Sequence, residues 1–293
     1  MDRLRVLTLN IWHRSGSWEA RAALIRRGIE RLQPDLIALQ EVLRLDGPGG
    51  PDGDDGQDQA DELAAGLGYH KAYARATTIG GEGSGLHFGN AVLSLHPISR
   101  VDRRPLPFHG EDEPRGLLGV IAETPAGPVP FFSTHLNWKL HHGAIRQRQV
   151  AFIASAIADL APVGDERLHP PILAGDFNAE PFSDEIRFLR GWHAIDGRTV
   201  YYADCFAVAG EGRRDVLAGP TYAPSRNAYA AETHEPDRRL DYIFVRGPDR
   251  LVRGEPLAAR VVFDEPEDGV WASDHFGVYA EISVGSVANK ATL

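Results

Sequence analysis

Cysteine, lysine and long apolar runs are scarce in this sequence, and each scarcity excludes something. Cys205 is the only cysteine among 293 residues, so no intramolecular disulfide can form, and no Cys/His set at zinc spacing surrounds it. That argues against a small disulfide-stapled secreted fold. Lysine is confined to Lys71, Lys139 and Lys290, and the formal net charge is −10 at pH 7. Proteins that grip long duplexes without sequence preference carry a net basic face. No such excess is legible here, although arginines can still gather around one anion. No apolar run is long enough to cross a bilayer. The opening stretch from Met1 to Asn10 lacks the long apolar centre and cleavage site of a secretory signal, which predicts a cytoplasmic chain.

What is present is ordinary globular composition, with 43% hydrophobic residues and 25% charged ones, enough to build a sizeable core. No fixed-period repeat occurs. The strongest composition shift is the Gly/Pro/Asp-rich stretch from Asp46 to Gly56. Counted from Asp52, Gly56 falls fifth and Leu63 twelfth, which is wrong for a calcium loop of the EF-hand type, so a solvated loop is expected. An acidic loop is expected from Asp46 to Glu62, and it contains no lysine or arginine.

Short β-patterned runs alternate with helical patterns, which predicts an α/β architecture around a single core. Strands are expected at residues 5–9, 36–39, 91–94, 129–133, 171–173, 242–245 and 276–282. Trp18, Ala22, Ile25, Ile29 and Leu32 recur at helical intervals before Pro34 stops the helix. A second helix, near residues 144–160, places Val150, Ile153, Ile157 and Leu160 on one face.

Polar residues interrupt these runs at strand ends. Asn10 follows the first strand and Glu41 the second; His135 and Asn137 follow Phe-Phe-Ser-Thr, and Asp176 and Asn178 follow Ile-Leu-Ala-Gly. Ligands of open α/β sheets bind beyond strand ends, so these residues are candidates for one site. Gly175-Asp176-Phe177-Asn178 alone fits either a capped turn or a pair of oxygen ligands. Ser273-Asp274-His275 is equally open. Glu41, at the rim of an apolar strand, needs a compensating partner, and a cation would serve.

Taken together, the motifs resemble the endonuclease/exonuclease/phosphatase superfamily of deoxyribonuclease I-like fold. Leu9-Asn10, Gln40-Glu41-Val42, Gly89 to Ser94, Thr134-His135-Leu136, Gly175 to Asn178, Leu240-Asp241-Tyr242 and Ser273-Asp274-His275 fall in the family's order across roughly residues 5–283. The resemblance implies a single domain with an α/β four-layered sandwich: two facing mixed β-sheets flanked by helices. It implies that Asn10, Glu41 and Asp274 hold Mg2+ (or Mn2+), directly or through waters. Asp176 would position or deprotonate the attacking water, with Asn178 orienting the phosphate. His275, oriented by Asp241, would bind or protonate a phosphate oxygen, and His135 would donate a hydrogen bond or help protonate the leaving group. Asn137 and Arg239 are added as substrate-binding candidates. Arg146 with Gln149 reads as an exposed helical pair, and Trp12 and Trp138 read as packing or as pocket walls.

The expected function is metal-dependent hydrolysis of a phosphoester, foremost a phosphodiester. Phosphomonoesterase, sphingomyelinase or phospholipase C-like, and nuclease activities are the alternatives; a binding member without turnover would lack catalytic positions that are all present here. The charge balance favours a small phosphorylated substrate over long nucleic acid.

Overall fold

The computed structural model describes residues 2–48, 56–81, 83–108, 110, 113–212, 218–233 and 235–285. In chain order its elements are β1 (Arg3–Asn10), α1 (Trp18–Leu32), β2 (Leu36–Leu45), β3 (Gln57–Asp58), α2 (Gln59–Ala64), β4 (His70–Ile79), β5 (Leu86–Ser94), β6 (Ile98–Pro105), β7 (Gly116–Thr124), β8 (Gly127–His135), α3 (Gly143–Leu160), β9 (Ile172–Asp176), α4 (Asp184–Leu189), β10 (Ala203–Asp204), α5 (Cys205–Ala209), β11 (Asp241–Val245), β12 (Arg253–Val262) and β13 (Gly277–Val284).

Among the described residues the strands form two sheets. One has the order β12-β13-β1-β2-β5-β4, with β3 paired to β2; the other has the order β10-β11-β9-β8-β7-β6. Both are mixed, because β1 and β2 run parallel in the first and β8 and β9 in the second while their other neighbours are antiparallel. Side chains alternate between faces with a period of two, and the inner rows of the two sheets share one core. Leu4 and Val6 of β1 and Leu36 and Ala38 of β2 meet Val129 and Phe131 of β8 and Ile172 and Ala174 of β9. The same rows turn polar toward one end: Thr8 and Asn10, Gln40, Ser133 and His135, and Asp176. That gradient places the polar end of the sandwich before any function is invoked.

The outer rows hold the helices. Leu7, Leu9, Ile37 and Leu39 pack under Trp18, Ala22, Ile25 and Ile29 of α1. Phe132 and Leu173 pack under Val150, Ile153, Ile157 and Leu160 of α3. The resulting order is helix, sheet, sheet, helix, as the motifs imply. α1 ends where expected: Gln33 takes a left-handed φ of 46° and its N–H bonds the Ile29 carbonyl just before Pro34. No helix among the described residues is long and apolar enough to cross a membrane.

Two expectations need correction. Glu41 does not follow its strand but lies within β2, at a bulge between Leu39 and Val42 with φ 61°. The stretch from Asp46 to Glu62 is not wholly a loop, because Asp58 and Asp61 form a capping box that starts α2. Residues 49–55, including Asp52 of the calcium count, lie outside the described residues. The described acids of that stretch are also partly neutralised: Lys71 Nζ lies 2.8 Å from Asp58 and 2.6 Å from Asp61, and Arg14 pairs with Glu62.

Gly175 is required by close approach. It pairs with Thr134 across β8 and β9 at φ 148°, where a Cβ would collide with the Thr134 carbonyl. Gly175→Ala should therefore cost at least about 3 kcal/mol in urea unfolding. Gly127→Ala, at φ 115° with open space around it, should cost only about 1–2 kcal/mol. Equal losses would show that backbone freedom, not collision, sets the requirement.

Candidate active site

The polar end opens into a cavity of about 490 Å³ lined by Asn10, Glu41, His135, Asp176, Asn178, Asp274 and His275, with Trp12, His13, Phe88, Glu113, Arg115, Trp138, Tyr222, Thr233, Glu235, Arg238 and Leu240 completing the wall. Strand register sets the floor. His135 stands opposite Asp176, and Asp176 opposite Asp241, on the adjacent strands β8, β9 and β11. The bulge in β2 lets two consecutive residues serve different ends, Gln40 bonding Ser133 in the core at 3.2 Å while Glu41 reaches the cavity. The loop carrying Asp274 and His275 is held by Asn227, whose Nδ2 donates to the carbonyls of Ser273 and Asp274.

Among the carboxylates of the cavity, Asp176 is the most heavily engaged. It accepts from Asn10 Nδ2 at 3.1 Å and from the Asn178 N–H at 2.8 Å, and has His135 Nε2 at 3.5 Å and His275 Nε2 at 3.8 Å. Burial and the nearby Asp241 push it up to about 6. His275 Nδ1 meets Asp241 Oδ2 at 2.9 Å. Burial would lower its pKa, but Asp241, Asp176 and Asp274 together hold it well above the ordinary histidine range. His135 goes the opposite way, pushed well down by burial and by Arg115.

The second acidic group is Glu41 with Asp274. Burial and the charge of Asp274 push Glu41 up to about 7, and burial raises Asp274. Burial outweighs the nearby charges of Arg115 and His275 at Glu41 and of His275 at Asp274, and a hard divalent cation would add a further counter-charge through oxygen ligands. Asn10 serves this pair differently from the expectation. Its Nδ2 donates to Glu41 at 3.2 Å and to Asp176, and its oxygen accepts from the Trp12 N–H at 3.0 Å, so it positions the carboxylates. A further group able to share one ion is Asp176, Asp241 and His275, whose ligand atoms lie within 4.8 Å of one another. Asp241 Oδ1 is buried there with no hydrogen-bond partner.

Both substrate-binding candidates from the sequence stand outside the cavity wall. Arg239 is buried against Asp204, with Nη1 at 2.9 and 3.1 Å from its oxygens and its guanidinium over Tyr242. Its neighbour Arg238 lines the cavity instead. Asn137 spends its amide on the Glu113 carbonyl and on Gln149. Arg146 and Gln149 are not an exposed pair: Arg146 is buried against Glu185 and bonds the carbonyls of Asn137 and Lys139, so both shape the loop after β8. Trp12, stacked on Tyr229, and Trp138, 55% exposed, are walls of the cavity.

Sequence reasoning missed Arg115, Arg238 and Arg21. Arg115 stands immediately before an apolar run, the same signal that singled out Glu41. Arg21 lies on the inner side of α1, bonding the carbonyls of Ile11, Trp12, His13, Ser15 and Ala272. It ties the loop after Asn10 to the loop before Asp274.

The profile of the Endonuclease/Exonuclease/phosphatase family matches residues 7–275. Protein angel homolog 2 of Danio rerio is 27% identical over 59% of this chain, the match spanning 30% of that protein. The YbhP protein of Escherichia coli (strain K12) is 29% identical over 59% of this chain and 66% of its own length. The chain thus matches about a third of the zebrafish protein. Among solved structures, an endonuclease/exonuclease/phosphatase of Beutenbergia cavernae superposes with a TM-score of 0.68 at 26% identity, covering 98% of this chain and 72% of that one. A Danio rerio TDP2 complexed with a single-strand DNA product shares the fold, with a TM-score of 0.69 at 18% identity over 96% of this chain and 99% of its own. With the family's motifs gathered at one end of a sandwich of two mixed sheets, the chain belongs to the endonuclease/exonuclease/phosphatase family.

Proposed function

We propose that this protein is a divalent-cation-dependent phosphodiesterase. The observation that carries the reading is Asp176: a carboxylate raised to about 6 in an open cavity, fixed by Asn10 and Asn178 and flanked by two imidazoles. That pKa suits a group that aligns water and takes its proton near neutral pH. Water attacks phosphorus in line as the ester P–O bond breaks. Asp176 accepts the proton of the water, while His275, kept charged by Asp241, donates to a phosphate oxygen. Mg2+ or Mn2+ held by Glu41 and Asp274 would screen the charge of the phosphate and of the leaving oxygen. We place the cation there because the group of Asp176, Asp241 and His275 already contains its own positive charge. Asn178 lines the cavity with its Nδ2 engaged by the Leu136 carbonyl, which fits it to fix the geometry near the phosphate.

EDTA should abolish hydrolysis of bis(p-nitrophenyl) phosphate, and Mg2+ or Mn2+ should restore it. Glu41→Gln should require a higher Mg2+ concentration for half-maximal rate; full turnover after exhaustive chelation would reject the proposal. A stability measurement checks the same site without turnover. Because Glu41 moves from an ordinary 4.5 to about 7 in the fold, the chelated protein retains a proton that the unfolded chain loses, so this group makes stability fall as pH rises from about 4.5 to about 7. Mg2+ should therefore raise the melting temperature more at pH 8 than at pH 5.

Asp176→Asn should lower kcat by about two to four orders of magnitude with the circular dichroism spectrum unchanged. Asp241→Asn should lower the titration midpoint of His275, followed by NMR; an unmoved midpoint would remove Asp241 from its role.

For substrate we propose a small phosphodiester or phosphorylated head group over long nucleic acid, on the net charge of −10. The exposed Trp138 at the mouth offers a stacking face and supports nuclease activity as the second reading. Rates on small diesters should vary little between 50 and 200 mM KCl, with Mg2+ fixed. A preference for duplex DNA with a steep negative salt slope would establish the nuclease instead.

A further inference from the structure

The two imidazoles of the cavity are held in opposite ways. His275 has a carboxylate against its Nδ1, whereas the Nδ1 of His135 faces the Nη1 of Arg115 at 3.2 Å. Arg115 and His135 are each only 3% exposed, so water does not compete for this contact. A guanidinium has five N–H donors, no acceptor, and keeps its charge in proteins. The contact therefore has one chemically consistent form, in which Arg115 donates and His135 Nδ1 accepts with its lone pair. The ring proton then sits on Nε2, which is 3.5 Å from Asp176 Oδ2. An imidazolium would set N–H against N–H and place two cations in buried contact. The charged groups around the ring are Arg115, Asp176 and His275. Arg115 is itself anchored, its Nη2 donating to Glu113 at 3.0 Å and its guanidinium lying over Phe88.

Building on the phosphodiesterase reading, we infer that Arg115 is a positioning residue that locks His135 as the neutral Nε2–H tautomer, so that His135 acts only as a hydrogen-bond donor to a phosphate oxygen and delivers no proton to the leaving group. This division separates the tasks of two residues that look alike in sequence. His275 carries charge, and His135 carries a fixed direction. The Nε of Arg115 is buried without a hydrogen-bond partner.

The test is the tautomer itself, read from long-range 1H–15N correlations on full-length protein labelled at histidine, with His135→Gln assigning the ring by its disappearance. At pH 7 the expected pattern is an unprotonated Nδ1 and a protonated Nε2. Arg115→Met should release the lock, populate the Nδ1–H form and lower kcat about tenfold to a hundredfold with a smaller change in KM. Arg115→Lys, which keeps a donor, should recover part of both. A wild-type ring protonated on Nδ1, or on both nitrogens, would overturn the inference. So would Arg115→Met with an unchanged tautomer, since that is what a purely structural arginine gives. If Arg115→Met does not fold, the wild-type spectrum decides alone. The spectrum needs no turnover, so an Nε2–H ring in a protein that hydrolyses no phosphodiester would reject the proposed function and leave the tautomer assignment standing.

Discussion

The site depends on a hydrogen-bonded layer that closes the interior just beneath it. Thr8 donates to Gln40 Oε1 and Gln40 donates to Ser133, each at 3.2 Å, linking β1, β2 and β8 between the two sheets. Below this layer the inner rows are apolar; above it the inward residues of β1, β8 and β9 are Asn10, His135 and Asp176. Each bond contributes only about 1 kcal/mol net, whereas leaving such a group buried and unpaired costs about 1–3 kcal/mol. The layer therefore fixes the spacing of the sheets more than it adds stability. Without that spacing the registers that set His135 opposite Asp176, and Asp176 opposite Asp241, would not converge on one cavity.

Above the layer, buried charge is organised by local partners instead of by solvent. Asp241 raises the affinity of His275 for its proton, Arg115 lowers that of His135, and Asp176 lies between them with its own pKa raised by burial. The acids proposed to hold the cation show the same economy of means. Asn10 donates to Glu41 and to Asp176, so one amide aligns the acid assigned to metal and the acid assigned to water. Arg21, through backbone carbonyls alone, sets where the loops bearing these groups begin.

Much of this was legible in the sequence because it rests on local pattern. The apolar stripe of α1 and its stop at Pro34 follow from helical periodicity, and the polar residues closing β1, β8 and β9 stood out against apolar runs. What was missed depends on tertiary context. β6 is an edge strand whose residues are largely exposed, and β12 carries Pro256 at a register irregularity, so neither shows strong alternation. β7 is a continuous buried run that has no alternation to find. The adjacent Arg238 and Arg239 lie before β11, and tertiary packing turns one to the cavity and the other to the Asp204 carboxylate. Asn137 looked like Asn178 in sequence, but Gln149 from α3 claimed its amide.

The pairing of β1 with β13 has a consequence for the life of the chain on the ribosome. These are the first and last described strands, and they lie side by side in antiparallel register from Arg3 opposite Ser283 to Thr8 opposite Val278. Asn10 ends the one and His275 precedes the other, so the floor is assembled from segments far apart in the chain that this pairing brings together. The nascent protein consequently carries an exposed β1 edge until β13 has left the exit tunnel. Removal of β13 would leave β1 without its antiparallel neighbour, and the sheet that carries Asn10 would gain an open edge.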